Sequence, residues 1–151
     1  MNTHLPRISP LIFSVVILGF CQCTKSDSLL NEILYNKPLS EIKARVTGEW
    51  DLRYGKGGIC SICVQPYEHT IWKIEPNDSL HIYWSGSLAT STKIAWIRVM
   101  GTYTNGDSTW LMHFGDPSVP SQEYTVDRIK NDTLILHDNT ADAVFYYFTR
   151  R

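Results

Sequence analysis

No run of basic residues stands anywhere in this chain: Lys and Arg are scattered, and the formal net charge is only -1. Nucleic-acid binding draws on clustered Lys and Arg that release counterions from phosphates, so nucleic acid is not expected as a partner. A Gly-x-Ser-x-Gly elbow is missing as well, and the one Gly-rich loop, GKGG, leads into CSIC and then a strand rather than a helix N-terminus. Elbow-type nucleophilic catalysis and phosphate cradling therefore lack their scaffolds. Apolar runs are short. Leu11–Phe20, LIFSVVILGF, is broken only by Ser14 and cannot span a bilayer. Cysteine is sparse, with four residues in two close pairs, Cys21/Cys23 and Cys60/Cys63.

What is present begins with that apolar run, which follows Arg7 and has the length of a signal-peptide h-region, so the mature protein is expected to be exported. The continuation FCQCTKSDS, a Cys closing an apolar run ahead of a polar, charged spacer, resembles a bacterial lipoprotein signal. The resemblance implies removal of residues 1–22, acylation of Cys23, and attachment to a membrane of the cell envelope, the outer one by preference. Cys21 is the alternative acyl site, and an ordinary secretory peptide the alternative to an anchor.

Residues 23–45 then read as a tether and a short helical arm. Leu29, Leu30, Ile33 and Leu34 fall at helical spacing after Ser28, Pro38 ends that turn, and LSEIKARV forms a second segment. The arm is expected to act as a lid or packing element rather than a membrane-surface helix, since its polar face has no Lys/Arg excess.

From residue 46 to 151 the pattern is strand after strand. The expected spans are 47–54, 68–75, 79–86, 92–103, 108–114, 122–130, 132–138 and 142–150, with turn residues between them. In VTGEWDLRY, Trp50, Leu52 and Tyr54 alternate with Glu49, Asp51 and Arg53. Within the strand cores every even position except Thr70, Arg98 and Arg128 is apolar or aromatic, which predicts a sheet with one continuous apolar face. Eight short strands hide such a face by closing on themselves, so the fold is predicted to be all-β, an eight-stranded antiparallel up-and-down barrel with a short N-terminal helical arm. A two-sheet sandwich is the alternative.

Gly48-Glu49-Trp50, preceded by a helical arm and opening a meander of eight strands, resembles the Gly-x-Trp signature of the lipocalins. TGEWDLRY, the Gly-rich first loop and NDTLILHDNTADAVFYYFTR resemble, more closely, the lipocalin-like domains of bacterial lipoproteins over residues 46–151. That likeness implies a barrel closed at one end by Trp50 and Gly48, with Arg150, or Arg151, packed across the indole. The chain is shorter than a lipocalin and lacks the long helix after the last strand.

Arg98 and Arg128 are the two charges on the inward parity, and an unpaired buried guanidinium is costly. Intracellular fatty-acid carriers, similar to this barrel in topology, hold a carboxylate with interior Arg and Tyr. Arg98, Arg128, Tyr124 and Tyr146 are thus the candidate anchor for an anionic head, with Trp72, Ile82, Trp84, Trp96, Met112 and Phe148 as the apolar wall of a site for a lipid or another small amphiphile. The competing reading places each Arg at a rim with its head in water, around a core filled by side chains.

Cys60 and Cys63 are expected to form a local disulfide in an oxidising compartment; redox activity and metal binding are the alternatives. His69, His81, His113 and His137 fall on the outward parity and are not expected to gather as ligands. One envelope-stress and copper-response lipoprotein family also pairs a small barrel with Cys-x-x-Cys, and would imply sensing through a protein partner. No carboxylate lies on the inward parity, so acid/base hydrolysis by a carboxylate pair has no residues to use. The expectation is a non-enzymatic binding protein with no cofactor, or a solid barrel presenting loops such as GKGGICSICVQPY and GDPSVPS to a protein.

Overall fold

The structure, a computed structural model, describes residues 31–100, 108–115 and 123–151. The leader, Cys21, Cys23, the Ser28 cap and most of GDPSVPS lie outside the described residues.

The described residues are mostly antiparallel sheet with one short helix. Its elements are β1 (Glu32–Ile33), α1 (Leu39–Val46), β2 (Gly48–Gly57), β3 (Cys60–Ile74), β4 (Ser79–Trp84), β5 (Ser87–Lys93), β6 (Ala95–Met100), β7 (Ser108–His113), β8 (Glu123–Lys130), β9 (Thr133–Asp138) and β10 (Val144–Arg150). The ladder runs β5-β4-β3-β2-β10-β9-β8-β7-β6, and β1 pairs with β8. The meander and the pairing of the last strand with the first follow the expected order. Closure does not: the sheet has ten strands and is not a closed barrel. The expected strand 92–103 divides at Ile94. Its first part continues β5, bonded to β4, and its second part is β6, bonded to β7. β5 and β6 are therefore the two edges of one open sheet, joined through Ile94 alone, whose N–H donates to the Asp78 carbonyl at 2.8 Å.

Turn chemistry fixes the hairpins. Asn131 and Asp132 both take positive φ, 48° and 58°, as a tight two-residue turn requires, and Ser85-Gly86 repeats this at 49° and 80°. The arm differs from its reading as two helical segments. Glu32 and Ile33 pair with Ile129 and Arg128 as a strand, and among the described residues of the arm LSEIKARV alone is helical. Pro38 before the helix, Glu41 in the first turn and Lys43 and Arg45 in the last suit its dipole. Ile42 and Val46, one turn apart, are fully buried with Leu34 against the sheet. Burying each such side chain is worth about 1.5–3 kcal/mol. The exposed Lys37–Glu41 pair is worth about 0–1 kcal/mol, so packing rather than charge seats α1.

The inward row forms one core of Trp50, Leu52, Trp72, Ile74, Leu80, Ile94, Met112, Phe114, Val126, Leu134, Leu136 and Phe148. Two bulges break the parity that the sequence suggested. Arg53 is an extra residue of β2 opposite Tyr147/Phe148, and Asp127 an extra residue of β8 opposite Ile135/Leu136. One inserted residue turns every following side chain to the other face. Tyr54 is thus on the outer face, stacked on Tyr147 at 4.4 Å, and Arg128 is on the outer face opposite Ile135.

Candidate functional site

α1 covers one end of the core. The Trp50 indole N–H donates to the Val46 carbonyl at 2.7 Å. The Arg150 guanidinium lies 4.5 Å from the Trp50 ring and donates to the Arg45 carbonyl at 3.0 Å. Gly48, at φ 140°, lets the chain pass beneath that guanidinium: a Cβ there would sit 3.5 Å from Arg150 Nη1. Lys43 bonds Asp78 at 2.7 Å, and the Trp96 N–H reaches the same carboxylate at 3.0 Å. Partial burial works against charge on Asp78, but these two hydrogen bonds and the nearby Lys43 and Lys93 outweigh it and hold the carboxyl below its ordinary value.

Above this plug the core is a network of rings. Trp72 meets Phe114, Tyr124 and Phe148 at 5.4, 5.6 and 4.9 Å. Tyr124 stacks on Phe114 at 5.4 Å and meets Tyr146 edge-on at 5.5 Å, and Tyr146 lies 6.2 Å from Tyr67. Tyr67, Tyr124 and Tyr146 thus form a band on the concave face away from α1. Gly55 makes room for it: a Cβ would stand 3.3 Å from the Tyr67 ring and 3.2 Å from Val144. Ile82 is half-buried against the core, and Trp84, opposite Thr70, is 67% exposed at the rim.

Tyr124 and Tyr146 have raised pKa values. Burial, aided by Asp138 and Tyr67, pushes Tyr124 up to about 12; burial, then Tyr124, Tyr67 and Asp138, pushes Tyr146 higher. Both stay neutral at physiological pH. They offer O–H donors and ring faces but no base, and neither hydroxyl bonds another described residue.

Of the expected site residues, Tyr124, Tyr146, Trp72, Ile82, Trp96, Met112 and Phe148 share the concave face with the core. The two arginines are not gathered with the tyrosines. Arg98 keeps the inward register opposite Trp110 but is exposed, donates to Ser108 Oγ at 2.8 Å and lies 5.8 Å from the Trp110 ring. Arg128 is turned outward by the Asp127 bulge and bonds the Asp127 carboxylate at 2.6 Å. The expected guanidinium anchor is therefore not assembled. Tyr67 and Gly55 were missed, because the span expected to be a loop is the upper half of a long β2–β3 hairpin.

Cys60 and Cys63 are joined by a disulfide. The histidines are dispersed: His81 bonds Ser91, His113 lies 3.6 Å from Glu123, and His137 packs on Phe145. No group of three or more His, Cys, Asp or Glu suited to a metal exists among the described residues. His69, at φ 57°, lines an outer cleft of about 590 Å³ with Asp51, Arg53, Glu68 and Arg151, where charges of both signs mix.

No family model, curated protein or solved structure matches the chain.

Proposed function

We propose that the protein is an exported, lipid-anchored, non-catalytic binding protein of the bacterial envelope. Its bent sheet wraps the aromatic core in the manner of a lipocalin-like barrel and takes a small apolar or amphiphilic molecule at the open end. The observation that carries the reading is the band of Tyr67, Tyr124 and Tyr146. These are aromatic walls with hydroxyls that no hydrogen bond to a described residue occupies, together with the half-buried Ile82 and the exposed Trp84 on the same strand face. Such a surface suits an apolar body with an uncharged polar group, because the two expected arginines are engaged elsewhere, Arg98 with Ser108 and Arg128 with Asp127. The anionic head expected from sequence gives way to a hydroxyl, ester or amide.

The experiment is titration with a fluorescent long-chain alcohol. Tyr124→Phe/Tyr146→Phe is expected to weaken binding about tenfold, the loss of two hydrogen bonds at about 0.5–1.5 kcal/mol each. Arg98→Leu and Arg128→Leu are expected to leave affinity unchanged. No binding by the wild-type protein, or equal loss in the arginine variants, would refute the site.

A solid-core interaction protein is the second reading. It is favoured by one observation: the rings around Trp72 fill the space between the sheet walls.

A further inference from the structure

We infer that the disulfide-tied tip between β2 and β3 inserts into a lipid surface. β4 pairs with β3 only as far as Thr70, and the Ser85 N–H donates to the His69 carbonyl at 2.9 Å just beyond it, so the ladder of Cys60–Glu68 runs on the β2 side and the hairpin projects beyond its neighbour. At its end Ile59 is 97% exposed and Ile62 83%, and Val64 follows at 56%. The stretch from Gly57 to Tyr67, GGICSICVQPY, carries no charge.

Bare aliphatic side chains on a convex tip are unfavourable in water and call for a partner. A protein interface is usually a broad patch with aromatic or Arg anchors and a polar rim. This tip offers only aliphatic groups, with no anchor among them. Hydrocarbon needs no shape match and rewards aliphatic area alone, so a lipid surface is the occupant that fits. Exposed Lys56, just before the uncharged stretch, stands at the level of lipid phosphates once the isoleucines are submerged. The Cys60–Cys63 bond, with Cα atoms 5.2 Å apart, holds Ile59 and Ile62 in place beforehand and so lowers the ordering cost of insertion.

The proposed anchor permits this. Asn31 enters beside the far end of β8, and the eight residues back to Cys23 reach about 28 Å at most. β2, with ten residues, is about 33 Å long, so anchor and tip can meet one bilayer with the sheet lying along it. The inference does not depend on the tyrosine band.

The full chain, methyl-labelled at Ile and Val, is placed in bicelles of phosphatidylethanolamine and phosphatidylglycerol. Ile59→Val and Ile62→Val variants assign the signals. A lipid carrying a nitroxide near its glycerol end is expected to broaden the Ile59 and Ile62 methyls, and a water-soluble gadolinium chelate to spare them. Broadening by the chelate alone, or shielding from both reagents as a protein contact would give, overturns the proposal. In Ile59→Asp/Ile62→Asp, whose altered side chains touch little and leave the fold intact, nitroxide broadening of Val64 is expected to fall at least tenfold. Retained broadening would show that another part of the chain holds the tip near lipid, and overturns it equally.

Discussion

Tyr124 and Tyr146 sit where phenols are costly to ionise, and the sign of that effect is testable. An ordinary tyrosine titrates near 10, and Tyr124 in the fold near 12. The folded state therefore holds its protons more tightly than the unfolded chain. The stability this contributes is whole below pH 10 and is lost as pH rises through about 12. Urea unfolding at stepped alkaline pH is expected to show a fall beginning near pH 10, smaller in Tyr124→Phe, and the part of the phenolate absorbance that Tyr124→Phe removes is expected to appear only as structure is lost. A phenolate signal at pH 10 in the intact fold that Tyr124→Phe removes would place the ring in water. At this scale Trp50 was legible, because a bulky residue alternating with charges can face only a core. Arg128 was not legible: Asp127 inserts one residue into β8, and periodicity carries no mark of it. The same holds for Tyr54 beyond Arg53.

At the scale of elements, α1 is seated by Ile42 and Val46 and latched by Asp78, which joins Lys43 of the helix to Trp96 of β6. Asp78→Asn keeps the shape and removes the charge. Because the pair is partly exposed, the expected cost is about 1 kcal/mol, seen as about fivefold faster hydrogen exchange in α1 with β9 unaffected. The Asp78 carboxyl is held below its ordinary value of 3.8. Its contribution is therefore complete above that pH and is lost as pH falls through the lower folded value. Acid unfolding of the wild type is expected to begin with α1, and the variant to lack that early step. The strands of this region were legible from alternation and from the Asn131-Asp132 turn. The upper β2–β3 hairpin was hidden, since a Gly-rich, Pro-containing stretch with a bulge at His69 has neither period.

At the scale of the molecule, the meander order and the pairing of β10 with β2 followed from eight apolar-faced segments. The open ladder did not, because the chain crosses from β5 to β6 at Ile94 within what reads as one strand. The sheet gathers its large rings on one side, plugs one end with α1 and leaves three phenols near the other. The central claim is that this end receives a small, uncharged amphiphile. Native mass spectrometry of the protein drawn from the cells that make it tests it most directly. The wild type is expected to retain a co-purifying small molecule that Tyr124→Phe/Tyr146→Phe loses, whereas ligand-free wild type, or a ligand held equally by both, would contradict the account.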